Sequence, residues 1–577
     1  MRQIDVLAGM MALVAMGVGA QQAGCVFNYF EDCDTYPHAG CPGVGTTGTG
    51  TGGHMSSSTG TATGGTGGSP VVCNGDPSPV VMGMGNIQDE CAVFVRSDAT
   101  GTTPDGTMAN PYATLQEALD KPKGNRTKVF ACAPMTKPFK EAVTLSAGLE
   151  VYGGFDCDKA MWTWTASGRT ELDGLADKVA LTVNKAAGGA LVSGFAIKAA
   201  APSLAMGGGS SIAVAVDDLT SNATLKRSDI SAEAGADGAS GTTPTDAVTA
   251  GADAPMPVHN QMDACSNPAS LIGGAPGATT CGTSATSGGL GGKGGTDVVN
   301  AVGSKGGDGS QLPSPNPTMA GVGGVGQTDL VDMSKTCHDG AKGLAGGNGI
   351  NGAAGTALGT LSLAGINGGN GGDGGAGAPG QGGGGGGGAE FGVFCPGNVG
   401  GVGASGGGAG AGGCGGKGGL GGAVGGSSIA ILTLGTKLTV DGSTVTLTTK
   451  KGGAGGNGAA GQSGGSGGNG AKGGATSGMS PSIDGCKGGD GGKGGVGGPG
   501  GGGRGGFSAG VAFAKAPTAK PTFKMPPTVG APGTPGASTG NPGAAGSAGA
   551  VCDFSKLRPL GYEPNELPDC STSRLSR

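Results

Sequence analysis

The chain has 577 residues, and 138 of them are glycine, whereas aromatic residues make up only 3% and charged residues 13%. So few large side chains cannot fill the several dense cores that this length would allow, which excludes an ordinary globular enzyme along the whole chain. The net charge of −6 comes without a basic stripe, so no nucleic-acid partner is expected.

The N-terminus has the pattern of a targeting segment. Arg2 precedes an apolar run over residues 6–18 that is too short to remain as a membrane span. Two cleavage sites fit. Val18-Gly19-Ala20 suits an ordinary signal peptidase, and Gln22-Ala23-Gly24-Cys25 resembles a bacterial lipobox, in which Cys25 becomes the lipid-modified first residue. We expect a signal peptide over residues 1–24 and a membrane partner reached through the lipid anchor at Cys25.

The cysteine count agrees with this interpretation. The sequence contains 15 cysteines, and removing Cys25 leaves an even number that an oxidising compartment would let pair as disulfides. The alternative is plain secretion with one free thiol. The expected location is extracytoplasmic, at the cell surface or outer membrane.

Residues 25–72 combine a short cysteine-containing N-terminus with a stretch of glycine, threonine and serine. Such a composition cannot bury a core, and its last 31 residues, 42–72, would span about 30 Å as a flexible coil. We expect a tether.

Residues 91–235 have a more ordinary composition. Thr114 and Glu117 form a capping box ahead of an apolar face on Leu115, Ala118 and Leu119, which predicts a short helix that ends before Pro122. Short runs with period-two alternation follow, and no long helical pattern separates them. This favours an all-β coiled parallel sheet. The runs are 128–131, 142–145, 149–152, 179–183 and 195–197.

Three segments here resemble known proteins. Residues 105–118, with Gly106-Thr107, Asn110-Pro111-Tyr112 and Thr114-Leu115-Gln116, are similar to the opening of right-handed parallel β-helix surface proteins. Residues 139–145 and 149–155 resemble the coils that follow. The resemblance implies a right-handed parallel β-helix with an N-terminal helical cap over residues 73–235, a fold that hosts lyases, hydrolases, adhesins and inert surface proteins.

Lyases on this fold use clustered acids for Ca²⁺ and a Lys or Arg base. The nearest candidates are Asp156, Asp158, Arg169 and Asp173, for which a structural or solvated role is favoured. No catalytic, cofactor-binding or metal-binding residue is therefore predicted, and no cofactor is expected.

Three other residues of this region need an interpretation. Cys157 looks structural, with Cys132 as a possible disulfide partner. Trp162 and Trp164 could stack on sugar rings if exposed, although core packing over a coil end is favoured.

The second half is built from Gly-Gly-X units over residues 286–426 and 451–506. Two interpretations remain open: disorder, because ordering glycine is entropically unfavourable, or a bundle of polyproline-II-like strands whose period-three glycines allow close approach. The tracts resemble repeats of PE-PGRS proteins and glycine-rich antifreeze proteins. Asp308, Asp373 and Asp490 lie in these tracts, out of register with a calcium-binding nonapeptide.

An internal repeat connects the two halves. Ser210–Val216 recurs at Ser427–Thr433, and Gly506–Phe513 is a degraded third copy. The repeat predicts one β-helix interrupted by insertions, with residues 212–216 stacked on 429–433. The predicted boundaries are a glycine-rich insertion at 236–426, a returning coil at 427–450, a second insertion at 451–506, a last coil at 507–525 and a Pro/Gly-rich tail at 526–577.

The sequence thus favours a non-catalytic bacterial cell-surface protein with a structural or adhesive role and an unidentified surface glycan or protein partner. A carbohydrate-active β-helix enzyme and a passive matrix or coat component are the alternatives. Clustered acids beside an exposed base would favour the enzyme, and paired or solvated acids the surface protein.

Overall fold

A computed structural model describes residues 87–555 and 569–571, apart from 122–125, 135, 147, 159–161, 185–188, 204–207, 218–221, 311–315, 317, 397–398, 479–482 and 516–519. The signal peptide, Cys25 and the tether lie outside the described residues. All described residues belong to one compact unit. Its regular structure is nearly all β-strand, because the α-helices, α1 Leu115–Asp120 and α2 His259–Met262, have only six and four residues. The all-β expectation is confirmed.

The strands up to the first long insertion are short. In chain order they are β1 Ala92–Arg96, β2 Lys128–Cys132, β3 Phe139–Lys140, β4 Val143–Leu145, β5 Glu150–Tyr152, β6 Phe155–Asp156, β7 Thr163–Trp164, β8 Thr170–Asp173, β9 Leu181–Val183, β10 Ala190–Ser193, β11 Phe195–Lys198, β12 Ser211–Val216, β13 Ala223–Lys226 and β14 Asp229–Ala232.

The rest of the chain adds three hairpins, two 3₁₀ turns (Pro268–Ser270 and Met333–Lys335) and a second group of sheet strands. The hairpin strands are β15 Ala278–Cys281, β16 Ser284–Ser287, β17 Thr360–Ser362, β18 Gly365–Asn367, β19 Val393–Cys395 and β20 Val399–Gly401. The sheet strands are β21 Ser428–Thr433, β22 Leu438–Val440, β23 Thr446–Thr449, β24 Ser508–Phe513, β25 Ala548–Asp553 and β26 Asp569–Ser571.

Three parallel sheets organise these strands. Their orders are β1-β2-β5-β10-β13-β22, β3-β8-β11-β14-β23 and β4-β9-β12-β21-β24-β25-β26, with only β26 antiparallel to its neighbour. From β3 to β14 the chain passes from the second sheet to the third, then to the first, and repeats this cycle. β21 and β24 resume the cycle where β14 and β23 left it. We call these three sheets and α1 the three-sheet body.

The internal repeat is a strand pairing. β12 pairs in parallel with β21, which places Ile212 beside Ile429 and Val214 beside Ile431, as the sequence predicts. β24 then pairs with β21, and β25 with β24. The strand β25 is a finding that the sequence did not predict, since it lies in the segment interpreted as a C-terminal tail.

Aliphatic side chains fill the three-sheet body. Leu145, Ile197, Leu225 and Ile431 are all 1% exposed or less and belong to one continuous cluster. The opposite faces of β12, β21 and β24 are also covered, partly by Ile366 of the β17–β18 hairpin. Strands buried on both faces need apolar residues at successive positions, which explains the uninterrupted sequence of β12.

The helix α1 packs on this cluster through Leu115, Ala118 and Leu119. The hydroxyl of Thr114 accepts the N–H of Glu117 at 3.2 Å, which is the N-cap half of the predicted capping box. The helix ends at Asp120, before Pro122, as predicted.

The glycine-rich tracts form a second region without an extensive apolar core. Twelve extended segments are joined by backbone hydrogen bonds that recur at every third residue, for example from the N–H groups of Gly407, Gly410 and Gly413 to a neighbouring segment at 2.9–3.0 Å. The disordered alternative is therefore not the arrangement in the structure. We call these segments the glycine bundle: 235–254, 273–277, 288–295, 303–309, 321–327, 338–355, 369–389, 403–426, 452–474, 485–506, 530–536 and 541–546.

Three segments, 369–389, 403–426 and 485–506, lie at the centre, and each is hydrogen-bonded to six others. Gly385 shows why the central positions are glycine. Its N–H donates to Gly307 at 2.9 Å and its carbonyl accepts from Gly324 at 2.8 Å, and a Cβ there would overlap the carbonyl oxygen of Leu290. Neighbouring segments pack on all sides of residues 382–388, which explains why these seven consecutive residues are glycine.

The residue type at every third position of a segment depends on whether another segment packs beside that position. From residue 487 to residue 499, every third residue faces outward and is polar or large, as at Lys487, Lys493 and Val496. At the same phase, Gly502 and Gly505 are buried, because segment 541–546 hydrogen-bonds there. In this segment, the non-glycine residues from Lys487 to Pro499 therefore mark positions without a packed neighbour on that side.

Candidate functional site

The acidic candidates of the three-sheet body are engaged with different partners. Asp158 lies 3.4 Å from Arg96, and its N–H donates to Asp156 at 3.1 Å. Asp173 lies 3.9 Å from the ammonium of Lys198. Arg169, the candidate base, precedes β8 and lies 3.2 Å from Asp229 of β14. Within the described part of the chain, no group of three or more His, Cys, Asp or Glu residues is arranged to hold a metal ion.

The tryptophans pack inward or against a cation. Trp162 is 6% exposed, and its ring lies 4.9 Å from that of Phe94. The guanidinium of Arg227 lies over the ring of Trp164 at 4.0 Å, so that this face is covered. These contacts match the core-packing interpretation rather than sugar stacking.

Cys132 and Cys157 lie at disulfide distance, with their Cα atoms 6.2 Å apart. This is the pair that the sequence suggests. The bond joins β2 to the corner that follows β6, beside Trp162 in the same small aromatic cluster. Its position is therefore structural.

An open groove of about 420 Å³ lies beside α1, lined in part by Lys137, Lys140 and Glu141. The carboxylate of Glu141 accepts the N–H groups of Leu115 and Gln116 at 2.7 and 3.0 Å. The acid in this groove thus caps the helix N-terminus, where a negative charge is favourable.

The aspartates of the glycine tracts replace missing backbone partners. Each accepts the backbone N–H of an adjacent segment at 2.8–3.0 Å. The pairs are Asp308 with Gly323, Asp373 with Gly421, and Asp490 with Gly470. These hydrogen bonds are the largest cause that lowers the pKa of Asp308 and Asp490 below the usual aspartate value. The three residues hold the bundle together at its edges.

The glycine bundle has two different ends. At one end, its segments continue into strands of the three-sheet body, such as β14, β21 and β24. At the other end, the Gly-Gly-X pattern stops and five connections link the segments. We call the described residues of these connections the distal loops: 255–272, 296–302, 328–337, 390–402 and 475–484.

Hydrogen bonds connect the distal loops to one another. Ala264 donates its N–H to the carbonyl of Ala475 at 2.9 Å, and Phe391 donates to Ala301 at 2.7 Å. Ala264, Ala389, Val393, Cys395 and Ala404 form a small apolar cluster, and Leu330 and Ile483 pack against it. The five loops therefore form one joined surface.

Disulfides add covalent links at and near this end. Cys265–Cys395 joins the first loop to the fourth, and Cys337–Cys486 joins the third to the beginning of segment 485–506. Cys281–Cys414 links the β15–β16 hairpin to segment 403–426. Every cysteine of the described residues is disulfide-bonded. Each of these three pairs joins parts of the glycine-rich insertions that are at least 130 residues apart in the sequence.

The distal loops hold the most exposed apolar side chains of the described chain. Val299 and Val331 are each 87% exposed, Met256 is 84% exposed and Val298 82%. The same loops contain six carboxylates and one lysine, Lys335. This combination makes them the candidate interaction surface.

Sequence reasoning missed this surface. The available signal was a short repeated pattern, Thr296-Asp297-Val298-Val299-Asn300 and Thr328-Asp329-Leu330-Val331-Asp332, at places where Gly-Gly-X is interrupted. The pattern is too short to stand out in the sequence, and only the fold brings its two copies to one end of the bundle.

None of the helices in the described part of the chain is long and apolar enough to cross a membrane. Comparison of the chain with protein families, with curated proteins and with solved structures finds no match.

Proposed function

We propose that this chain is a non-catalytic bacterial cell-surface protein in which a β-helix carries a glycine bundle that displays the distal loops. One observation carries the proposal: the exposed apolar residues and the disulfide-linked connections are concentrated at the bundle end farthest from the three-sheet body. A passive matrix component has no need for such a concentration.

In this proposal the three-sheet body is a right-handed parallel β-helix. The cyclic order of the three sheets and the parallel register of successive strands support it. Right-handedness is the general rule for connections between parallel strands of one sheet.

The bundle segments are polyproline-II-like helices in the same proposal. That conformation has three residues per turn and no internal hydrogen bonds, which fits the three-residue spacing of the bonds between segments. At about 3.1 Å per residue, segment 403–426 would carry the distal loops roughly 70 Å from the body.

The disulfides support an extracytoplasmic location, because such bonds persist in oxidising compartments. We further propose that Cys25 is the lipid-modified anchor residue, on the strength of the residues before it.

The engagement of Asp158, Asp173 and Arg169 with separate partners supports a non-catalytic role over the carbohydrate-active alternative. A lyase site needs an acid cluster and a base that are available to substrate.

The test is surface labelling of intact cells. An epitope inserted in the loop 296–302 should bind antibody on intact cells, and a cytoplasmic marker protein should not be stained. Staining that needs cell lysis would contradict surface display. A Cys25→Ser variant should release the protein into the medium, and continued membrane association would contradict the anchor.

A further inference from the structure

In two of the distal loops, an aspartate side chain accepts backbone N–H groups of a turn that holds an exposed valine. In one, Oδ1 of Asp297 accepts the N–H groups of Val299 and Asn300, both at 2.8 Å. In the other, Oδ1 of Asp329 accepts the N–H groups of Val331 and Asp332, at 2.9 and 3.2 Å.

The carboxylate in each case fixes a turn in which the residue two positions later points outward. Both of these residues, Val299 and Val331, are 87% exposed. The two loops therefore hold an apolar side chain in water by matching hydrogen bonds.

The bases of these loops are also fixed. Thr296 donates its N–H to the carbonyl of Asn300 at 3.1 Å, and Thr328 donates to that of Lys335 at 3.2 Å. The aspartate fixes the turn of each loop, and the backbone hydrogen bond fixes its base. Val299 and Val331 are therefore not tips of unrestrained loops. The two loops are neighbours, since Gly303 after the first donates its N–H to the carbonyl of Gln327 before the second at 2.9 Å. Large apolar side chains grouped on a surface mark interaction sites more often than solitary ones.

The charge of the same loops indicates what would bind. Six carboxylates are opposed by one lysine, and the carboxylates are Asp263, Asp297, Asp329, Asp332, Glu390 and Asp484. A partner with lysine or arginine around an apolar centre would complement this surface. A partner with aspartate or glutamate at the same positions would be repelled by the carboxylates.

A glycan is less well matched. Sugar rings stack on exposed aromatic side chains. Among the side chains that the structure describes, the exposed large apolar residues include Val, Leu, Ile and Met but no aromatic residue.

We propose that the distal loops bind a protein surface with a cationic rim and an apolar centre, contacted by Val299 and Val331. This deepens the proposed display function and rests on it for its biological setting. The contact itself depends only on the folded chain, so that it can be tested apart from location.

The test uses the purified mature chain and a helical peptide of leucine and lysine as the probe, with affinity measured by fluorescence anisotropy. We expect binding that weakens as salt is raised from 50 to 500 mM, since the charge contribution is screened. The double variant Val299→Ser/Val331→Ser should weaken binding at least tenfold. Ile350→Ser, which removes a side chain 79% exposed on the flank of the bundle, is the matched control and should leave affinity unchanged.

Equal affinity of the double variant and the control would overturn the proposal. Equal or tighter binding of a leucine–glutamate peptide would also overturn the proposal. Binding of a neutral oligosaccharide that is abolished in the double variant would overturn it as well. Each of these results leaves the surface-labelling outcome unaffected, and failure of surface labelling would leave this binding result standing.

Discussion

The three-sheet body and the glycine bundle are stabilised by different parts of the chain. In the body, aliphatic side chains such as Leu225 and Ile431 fill an interior that water does not reach. In the bundle, the closest contacts are between backbones, and the buried residues of the central segments are mostly glycine. One region depends on large side chains, and the other depends mainly on glycines that let backbones approach closely.

This difference predicts opposite sensitivities. A body position should tolerate another apolar residue of similar volume, because the stabilisation comes from apolar area removed from water. A central glycine such as Gly385 should tolerate no side chain, because even a Cβ would overlap a carbonyl oxygen of the next segment. Four substitutions test the comparison, from the largest expected effect to the smallest.

The largest effect is expected in the body. Ile431 is fully buried between Val214 and Val511 of the neighbouring strands. Ile431→Asp would bury an unpaired charge and should lower the free energy of unfolding by about 4 kcal/mol. Urea unfolding followed by circular dichroism measures the change. Thr439→Asp, at an exposed position of β22, is the control, and equal midpoints for both variants would show that the strands of the repeat do not share the core.

The second effect concerns glycine in the bundle. Gly385→Val should destabilise the bundle by about 3 kcal/mol, because overpacking forces the backbones apart. Gly347→Val is the matched control, since no atom lies within 4 Å of a Cβ built there. Hydrogen exchange of the bundle amides should accelerate in the first variant only. The same protection in both would mean that the segments are not packed backbone to backbone.

The third effect concerns the disulfides. Cys281–Cys414 closes a sequence separation of 133 residues, and Cys132–Cys157 closes one of 25. On loop length alone, replacing both cysteines of the longer pair by alanine should cost about 1.5 kcal/mol more than replacing both cysteines of the shorter pair. Thermal unfolding compares the two double variants. A larger loss from the shorter pair would indicate that the bundle does not depend on its covalent links.

The smallest effect is at the bundle edge. Asp490→Ala removes the acceptor for the N–H of Gly470 and should cost about 1 kcal/mol or less, because the carboxylate is partly exposed. Asp490→Asn keeps an acceptor oxygen and should be nearly neutral.

The pH dependence of this residue has a definite sign. The hydrogen bond from Gly470 lowers the pKa of Asp490 in the folded chain below the ordinary value of 3.8. Its contribution to stability is therefore complete above pH 3.8 and is lost as the pH falls through the lowered value. Acid titration of the stability should show this loss in the native chain and less of it in Asp490→Asn; identical curves would contradict the assignment.

Local patterns were sufficient for the helix and many strands of the body. Thr114, Glu117 and Pro122 define the bounds of α1 because capping and proline act over a few residues. The repeat at Ser210 and Ser427 predicted a pairing across more than 200 residues, because both strands need the same kind of neighbour. The strand β25 could not be predicted, since Ala548–Asp553 has small residues and little alternation, and it becomes a strand only by pairing with β24.

The glycine tracts divide in the same way between local and tertiary information. Gly-Gly-X allows close backbone approach wherever a segment has neighbours, and this much is determined by the sequence, because only glycine lacks a Cβ. Which segments become central, and which N–H groups need an aspartate such as Asp373, is decided only when the segments assemble. The arrangement of the distal loops depends most strongly on the tertiary structure. Val299 and Val331 are 32 positions apart in the sequence, and they share one surface because hydrogen bonds between segments set how the chain returns to that end of the bundle.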